Sequence, residues 1–594
     1  MRLSPRPHTP SSQSRTRAVA LAISLALALG VGHAAATGQP PVSPASTEAG
    51  AHRVQVDVPA IRHPEGETPD WWFLAGAAQA AERGAMGGRA KNIILFVGDG
   101  MSLTTVAAAR ILDGQRRGAP GEENLLAWET FRHTAFSKTY NTDTQTPDSA
   151  GTMTAMASGV KTRAGVIGVD QVPQRGDCAG TRDARLLSLW QLAADAGLAT
   201  GVVTTTRVTH ATPAATFAHS ADRNWENDAD MLGVPGADAC PDIARQFVET
   251  RHGRGPDVLM GGGRGSFFPV GVTDPEYDDQ TGLRLDGRNL VAEWRKRRPD
   301  GAYIWNAKQL AETPAGAPLL ALFEPGHMQY EHDRPQDRAG EPSLAEMTTD
   351  AIRRLQRISA AHGDRGFVLL VEGGRIDHAH HQGNAHRALV DTVALSDAVR
   401  AAVAATSVEG QPDDTLILVT ADHSHTLTFA GYPARGNPIL GKVRGSSGEG
   451  RNQGGYAGDG TGLPYTTLGY ANGPGYTGAT DQAPEGPKTY PQEVSGYQPA
   501  LQGRPDLTDV DTEHPDYMQE ATVPLSAETH GGEDVGVWAH GPGAHAVRGT
   551  IEQNALYHLM LQATPALRER LCRAGLCNAD GVPVKRPPAS AAGD

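Results

Sequence analysis

The sequence is poor in cysteine and has no surplus of positive charge. Its 594 residues include 4 Cys, and 53 Lys and Arg stand against 67 Asp and Glu, for a formal net charge of −14. An acidic surface argues against nucleic acid as a partner, because phosphate backbones are bound by clusters of Lys and Arg. A small phosphorylated substrate is still compatible with this charge, since a bound metal ion can reverse the local electrostatics.

The sequence also lacks an apolar run of membrane-spanning length. The run at 18–31 is short for a bilayer and precedes the small residues at 34–36, which predicts a signal peptide over 1–36. A basic region without acidic residues comes before this run, with Arg2, Arg6, Arg15 and Arg17. We therefore expect export to the periplasm or the medium, and a net charge of −14 − 4 = −18 after cleavage. No apolar tail follows at the C-terminus, so no membrane anchor is expected.

Export permits disulfide bonds, and the cysteine count is even. Cys178, Cys240, Cys572 and Cys577 allow three pairings, and none of them has zinc-finger spacing. The short separation between Cys572 and Cys577 favours that pair and leaves Cys178 with Cys240.

What the sequence does contain is an alternation of short apolar runs and helical patterns. Unbroken apolar runs are typical of strands buried on both faces, and they occur at 93–97, 201–203, 258–260, 367–371, 416–419 and 535–538. Helical patterns occur at 103–113, 186–196, 344–360 and 385–405, and Asp70 is expected to cap a further helix from Trp71 to about Gly84. This alternation predicts an α/β fold with helices on both sides of a mostly parallel sheet.

Residues 431–518 interrupt the alternation. They are rich in Gly, Pro and Asn and hold eight of the 13 Tyr, in a stretch too long for a simple connection. We interpret them as an inserted subdomain with a contact surface, the alternative being a secreted insert without fixed structure. The predicted organisation is a signal peptide at 1–36, an N-terminal extension at 37–69, a main domain at 70–430 and 519–580, the insert at 431–518 and a tail at 581–594.

Ionisable residues cluster where the predicted strands end. Three segments, 372–381, 420–425 and 528–534, combine carboxylates with imidazoles, and the chain has 22 His. In open α/β sheets ligands bind at the carboxyl edge, so we expect these segments to converge there. Nitrogen and oxygen donors without thiolate suit zinc at imidazole-rich positions and magnesium at oxygen-rich ones.

Ser149 lies in the segment Pro147-Asp148-Ser149-Ala150-Gly151-Thr152, which is followed by small residues that can start a helix. A hydroxyl at a helix N-terminus is placed where backbone N–H groups favour an anion. Taken alone, such a serine is more simply an N-cap, but beside a metal cluster it becomes a candidate nucleophile.

Five segments taken together resemble the alkaline phosphatase family: 97–101, 147–152, 372–381, 420–423 and 528–534. The match runs in order from about residue 70 to residue 577. The amino-acid sequences of three segments are similar to those of the animal-type branch of the family: 204–213, Asn224-Trp225 and His540-Gly541-Pro542. The resemblance implies a three-layer α/β/α sandwich with a crown-like inserted subdomain, a homodimer, and hydrolysis of phosphate monoesters through a phosphoserine intermediate.

The resemblance also implies a site for two zinc ions and one magnesium ion. Ser149 matches the nucleophile and Arg223 matches the arginine that binds phosphate. The implied ligands are Asp377, His381 and His530 for one zinc, Asp99, Asp422 and His423 for the other, and Asp99, Thr212 and Glu372 for magnesium. His210 and His378 match positions beside the magnesium ligands that differ between branches of the family.

A calcium site is implied as well. Glu276, the carbonyl of Phe323, Glu324 and Glu341 match its ligands, and Glu341 stands where relatives have Asp. Oxygen ligands suit calcium, the alternative being that these are solvated loop carboxylates. The resemblance implies the same two disulfides that the short cysteine separation favours.

Two other functions are compatible with parts of this pattern. A phosphodiesterase or sulfatase-like hydrolase could use the same scaffold, but Ser149 lacks the C/S-x-P-x-R context of sulfatases, and Arg223 suits the terminal oxygens of a monoester. A non-catalytic secreted metal-binding protein that uses residues 431–518 is the third hypothesis, and the complete set of catalytic residues argues against it.

Overall fold

The computed structural model describes residues 56–60, 64–237, 240–407, 409–410, 412–445, 455–476, 486–492 and 503–589. The predicted signal peptide at 1–36 lies outside these described residues, as do parts of the N-terminal extension, the insert and the tail. From residue 54 onward the chain forms one compact unit.

The described residues contain seventeen strands. In chain order they are β1 (Asn92–Gly98), β2 (His133–Lys138), β3 (Ala199–Arg207), β4 (Val258–Gly262), β5 (Ala302–Ile304), β6 (Leu319–Leu322), β7 (Phe367–Gly373), β8 (Thr415–Ala421), β9 (Ser424–His425), β10 (Leu427–Phe429), β11 (Leu468–Gly473), β12 (Lys488–Thr489), β13 (Tyr517–Met518), β14 (Ala521–Pro524), β15 (His530–Gly531), β16 (Val535–His540) and β17 (Gly549–Glu552).

Ten of these strands form one sheet in the order β17-β2-β16-β8-β1-β7-β3-β4-β6-β5. All neighbours pair in parallel except β16, which is antiparallel to both β8 and β2. In this register Val97 of β1 lies between Glu372 of β7 and Thr420 of β8. The carboxyl ends of three adjacent strands therefore meet at one edge, as the sequence predicts.

Both faces of the sheet are covered. Along β1, Ile93, Leu95 and Val97 belong to one hydrophobic core, and Ile94 and Phe96 belong to a second core on the other face. Side chains of a strand alternate between faces, so a run without polar residues must be buried on both sides. The predicted α/β/α sandwich around a mostly parallel sheet is confirmed.

The helices supply the outer layers. They are α1 (Pro69–Glu82), α2 (Leu103–Arg116), α3 (Ser149–Ser158), α4 (Cys178–Thr181), α5 (Leu189–Asp195), α6 (Ala211–Ala214), α7 (Ile243–Glu249), α8 (Leu290–Arg297), α9 (Ala307–Glu312), α10 (Leu344–Ala361), α11 (Arg375–His381), α12 (Ala385–Thr406), α13 (Ala555–Ala563) and α14 (Pro565–Arg573). No helix among the described residues has the length and apolar character needed to cross a bilayer.

Local capping explains where several helices begin. The Ser343 side chain accepts from the Glu346 backbone N–H, and Glu346 reaches back in a capping box, so α10 begins at Leu344. For α1 the expected cap was wrong by two residues. Thr68 accepts from the Trp71 N–H, and Asp70 lies within the first turn because Pro69 is suited to the first helical position.

Residues 431–518 contain one strand that pairs with strands on either side of the segment and two that pair with each other. A three-stranded sheet has the order β10-β11-β14, of which β11 alone lies inside the segment, and β12 pairs with β13. Residues 446–454, 477–485 and 493–502 of the segment lie outside the described part of the chain.

Both disulfide pairs favoured by the sequence are formed. Cys178 is bonded to Cys240 across 62 residues, and Cys572 is bonded to Cys577 across 5 residues.

The start of β7 depends on one glycine, which provides a test of the fold. Gly366 has φ +93°, and a Cβ added there would lie 2.0 Å from the Lys91 carbonyl oxygen. Gly366→Ala should therefore lower the free energy of unfolding through overpacking, by about 1–3 kcal/mol beyond the backbone strain. Gly363→Ala is the matched control, because Gly363 has φ +98° but open space around it. Guanidinium unfolding midpoints should fall further for Gly366→Ala; equal shifts would contradict the close packing.

Candidate active site

The ends of three neighbouring strands bring buried carboxylates together. Asp99 follows β1, Glu372 lies in β7, and Asp422 follows β8, and none of the three is exposed to solvent. Asp377 lies on α11, directly after β7, and is also buried. Residues far apart in the sequence therefore form one acidic cluster at the carboxyl edge of the sheet.

Asp377, His381 and His530 form the first potential metal-binding group. The Nδ1 atoms of His381 and His530 donate to the carbonyls of Glu528 and Pro147, at 2.5 and 2.7 Å. In a neutral ring of this tautomer Nε2 carries the lone pair, and the two Nε2 atoms lie 3.3 and 3.4 Å from Asp377 Oδ1 and 3.1 Å from each other. Three acceptors that converge on one point suit a bound cation.

Asp99, Asp422 and His423 form the second group. His423 Nε2 lies 3.4 Å from Asp99 Oδ1 and 3.3 Å from Asp422 Oδ2. Burial is the main reason that the pKa of His423 lies well below its ordinary value, so the imidazole is neutral and can act as a ligand. Burial, and then the Asp422 and Asp377 carboxylates, raise the pKa of Asp99 well above its usual range.

The environment of Asp99 tests whether this group suits a metal. Neither carboxylate oxygen of Asp99 accepts a hydrogen bond from the described residues, although both are fully buried. Buried carboxylates normally have partners, because an unpaired charge in the interior is strongly unfavourable. The residues present therefore match the needs of a cation that would bind between them.

A third group surrounds the other side of Asp99. Oxygen atoms of Asp99 and Glu372 and a ring nitrogen of His210 lie within 4.8 Å of one another. Burial is the main cause that raises the pKa of Glu372, to about 7. Thr212 on α6 is fully buried, and the His378 ring packs against His210 with 5.4 Å between ring centres. His210 is thus placed among the predicted magnesium ligands themselves.

Ser149 is the first residue of α3, and its Oγ lies 3.0 Å from His423 Nε2. The simpler interpretation of Ser149 as an N-cap is wrong. Asp148 occupies the cap position, and its side chain accepts from the Ala150 N–H. The Ser149 hydroxyl is therefore free to face the second group from the helix N-terminus, where the backbone favours negative charge.

Arg223 brings positive charge next to Ser149. Its NH1 atom donates to Asp148 Oδ1 at 2.5 Å, and its NH2 atom lies 3.0 Å from His210 Nε2. Although burial opposes it, Arg223 lowers the pKa of Asp148 below the ordinary value. The guanidinium is held by neighbours on both sides and remains partly exposed, with a side-chain exposure of 16%.

Two residues of the predicted calcium site, Glu276 and Glu324, lie in one group of potential ligands. Carboxylate oxygens of Glu276, Glu324 and Asp337 come within 4.8 Å of one another. Burial, and then Glu324, raise the pKa of the nearby Glu341 to about 9. Asp337 was not predicted.

An arginine lies against this cluster. Arg264 NH1 donates to the Phe323 carbonyl at 2.5 Å, and Arg264 NH2 donates to Glu276 Oε2 at 2.7 Å. Two of the four predicted calcium ligands are therefore hydrogen-bonded to a guanidinium.

His425 lies in the predicted segment 420–425, but the sequence analysis assigned it no role. Its Nε2 atom lies 2.6 Å from Asp377 Oδ1, and its Nδ1 atom bonds to the Glu528 carboxylate. Burial would lower the pKa of His425, but Glu528 and Asp377 outweigh it and raise the pKa to about 10. With both nitrogens engaged, the imidazolium orients Asp377. Its position two residues after His423 was the available signal.

His327 was also missed. Its ring centre lies 4.2 Å from that of His378 and 5.4 Å from that of His210. Three imidazoles therefore lie side by side next to the third group.

A serine at a helix N-terminus, an arginine and clustered metal-capable donors at a parallel sheet edge define the class of a metal-dependent hydrolase. The alkaline phosphatase family model matches residues 90–566, and the chain belongs to this family. It is 45% identical to the tissue-nonspecific alkaline phosphatase of Gallus gallus, with 80% of this chain and 84% of that protein covered. The Homo sapiens tissue-nonspecific isozyme is 44% identical, with 80% and 83% covered.

Solved structures agree with the fold. The alkaline phosphatase of Thermus thermophilus superposes with a TM-score of 0.56 at 26% identity, covering 81% of this chain and 92% of that one. The enzyme of the Antarctic bacterium TAB5 has a TM-score of 0.51 at 20% identity, covering 80% and 98%. The higher identity to animal proteins confirms the resemblance to the animal-type branch.

The position of His425 predicts a specific effect on metal binding. His425→Gln removes the imidazolium that holds Asp377, and partners that orient ligands typically contribute about 10–100-fold to metal affinity. We expect zinc to be lost to a competing chelator at correspondingly lower chelator concentration, measured by metal analysis. His380→Gln is the control, because this adjacent buried imidazole bonds to Thr105 and Tyr470. Equal zinc retention by both variants would contradict the assignment.

Proposed function

We propose that this protein is an alkaline phosphatase that hydrolyses a broad range of phosphate monoesters to an alcohol and inorganic phosphate. The observation that carries the proposal is the approach of the Ser149 hydroxyl to His423 Nε2, at 3.0 Å, beside Arg223. Family membership and identities near 44% to curated alkaline phosphatases support the same activity.

We propose that the site holds two zinc ions and one magnesium ion. Asp377, His381 and His530 would hold one zinc, and Asp99, Asp422 and His423 would hold the other. Asp99, Thr212 and Glu372 would hold magnesium, with His210 and His378 beside them. When bound, these ions would lower the pKa of the serine hydroxyl and stabilise charge on the attacking and leaving oxygens.

Different residues of the chain have different roles in the reaction. Arg223 offers a planar fork to two terminal oxygens of the phosphoryl group and so orients it towards Ser149. Ser149 Oγ loses its proton and forms a bond to phosphorus while the ester P–O bond breaks, and the leaving alkoxide gains a proton in exchange and departs as the alcohol. Water then attacks the phosphoserine from the opposite side, which releases inorganic phosphate and restores the hydroxyl. The N-terminus of α3 faces the negative charge throughout.

Arg223 favours monoesters over the alternative substrates. A monoester presents three terminal oxygens, two of which can bind the guanidinium, whereas a diester presents only two and carries a second organic group beside them. Since recognition is centred on the phosphoryl group, the alcohol can vary widely.

Removal of the nucleophile tests the proposal directly. Ser149→Ala should lower kcat for a nitrophenyl monophosphate at least about 10³-fold, because the covalent step is lost. Zinc content and phosphate binding should be retained. Ser158→Ala is the control at the other end of the same helix, where the hydroxyl donates to the Thr154 carbonyl at 2.7 Å. Full activity of Ser149→Ala, or equal losses in both variants, would refute the assigned role.

We further propose a calcium ion bound by Glu276, the Phe323 carbonyl, Glu324 and Glu341. The support is that Glu276 and Glu324 lie in one group of carboxylates that could hold a metal ion, and that Glu341 Oε1 is buried without a hydrogen-bond partner among the described residues. Oxygen donors are the ligands that calcium prefers.

The calcium proposal predicts a stability effect. Calcium at about 100 times its Kd should add about 2.7 kcal/mol to the stability of the parent protein. Glu341→Gln should abolish this gain, as measured by unfolding temperature with and without calcium. Glu331→Gln is the control, because Glu331 is already paired with Arg334 at 2.8 Å. If calcium does not change the unfolding temperature of the parent protein, the calcium proposal is wrong and these residues are ordinary loop carboxylates.

We propose that the mature protein is exported to the periplasm or the medium and forms a homodimer. Two disulfide bonds support export, because disulfides persist in oxidising compartments. The dimer is proposed by analogy with the family.

A further inference from the structure

Residues 552–554, between β17 and α13, connect several parts of the molecule. Glu552 ends β17, where its carboxylate lies 2.8 Å from Lys138 Nζ and 2.9 Å from Lys161 Nζ. Lys161 is buried, with 1% of its side chain exposed. The ion pairs of Glu552 with these two lysines therefore hold the segment in place at the end of β17.

Asn554 ties the segment to two helices. It lies at the cap position of α13, where asparagine commonly bonds to the helix N-terminus, yet it makes no such bond. Its Nδ2 atom instead donates to the Trp72 carbonyl of α1 at 2.8 Å and to the Gly159 carbonyl at 3.1 Å. Gly159 directly follows α3, the helix that begins with Ser149.

Gln553 reaches the second metal-binding group. Its Nε2 atom donates to the Asp422 main-chain carbonyl at 2.7 Å, and the side chain is 1% exposed. β8 ends at Ala421, so this carbonyl lies beyond the ladder of the main sheet and is bonded by a side chain. Buried carbonyls need such partners, and this one comes from a segment more than a hundred residues away.

The bonded carbonyl belongs to the peptide that links Asp422 to His423. The side chains of Asp422 and His423 both belong to this metal-binding group. The His423 N–H, on the other side of the peptide, donates a hydrogen bond to Asp422 Oδ1 at 2.9 Å. Rotation of this one peptide plane would therefore move two ligands at once. Thr152 of α3 bonds to the same carboxylate at Oδ2, at 3.2 Å, so α3 meets the group from the other side.

We propose that Gln553 is a positioning residue for the metal-binding group of Asp99, Asp422 and His423. It fixes the Asp422–His423 peptide, while its neighbours Glu552 and Asn554 hold it in register with α3 and Ser149. The inference rests on the proposed function, in which this group binds zinc.

The test compares two buried glutamines that make the same kind of bond. Gln553→Met removes the donor and nearly keeps the volume. Gln562→Met is the matched control, because Gln562 is also fully buried and its Nε2 donates to the Ala77 carbonyl at 2.8 Å, on α1. Cobalt(II) and zinc affinities are measured by chelator competition, cobalt absorption spectra report the ligand geometry, and kcat and KM are measured on the zinc- and magnesium-loaded enzymes.

We expect Gln553→Met to bind one of its two cobalt ions about tenfold less tightly and to show an altered cobalt spectrum. Its kcat should fall with little change in KM. Gln562→Met should lower the unfolding temperature while its cobalt affinity and spectrum stay those of the parent protein. Unchanged cobalt affinity and spectrum in Gln553→Met, or the same changes in both variants, would overturn the proposal.

The experiment also distinguishes failure of the proposed function from failure of a variant to fold. A parent protein that binds neither cobalt nor zinc would overturn the proposed function itself, before any variant is compared. If Gln553→Met does not fold, Gln553→Asn carries the same comparison, because the shorter amide keeps its polarity but cannot span the 2.7 Å contact.

Discussion

The structure is organised around negative charge that is buried at the end of a parallel sheet. Asp99, Glu372 and Asp422 are fully buried, and Asp377 is 4% exposed. Such crowding is unfavourable in a low-dielectric interior unless positive charge lies close by. The pKa of Asp99 rises well above its usual range from burial and from these neighbours, so protons or cations must offset the charge of the cluster.

The fold brings this charge together by strand order. β8, β1 and β7 are adjacent and parallel, so the residues that follow them share one edge although they are far apart in the sequence. Pairing over six or seven residues on each side of β1, with both faces packed, leaves little freedom for the strand ends to shift. A helix N-terminus then adds Ser149 from the side.

The sequence predicts the sheet edge better than the contacts around it. Strand ends could be placed because unbroken apolar runs are unmistakable, and Asp99, Glu372 and Asp422 follow from them. The cap of α3 could not be decided from the sequence, since Asp148 and Ser149 are both suitable capping residues and only the geometry separates them. Gln553 has no local signal at all, because its role depends on a segment far away in the chain.

His423 and His425 show why residue type alone could not assign the roles. They lie two residues apart in one short segment, yet burial lowers the pKa of His423 and the carboxylates of Glu528 and Asp377 raise that of His425 to about 10. His423 is therefore a neutral imidazole that can donate a lone pair to a metal ion, and His425 is a cation that holds the Asp377 carboxylate in place. The difference is set by partners that the chain supplies from 48 and 103 residues away, which is information that only the folded structure carries.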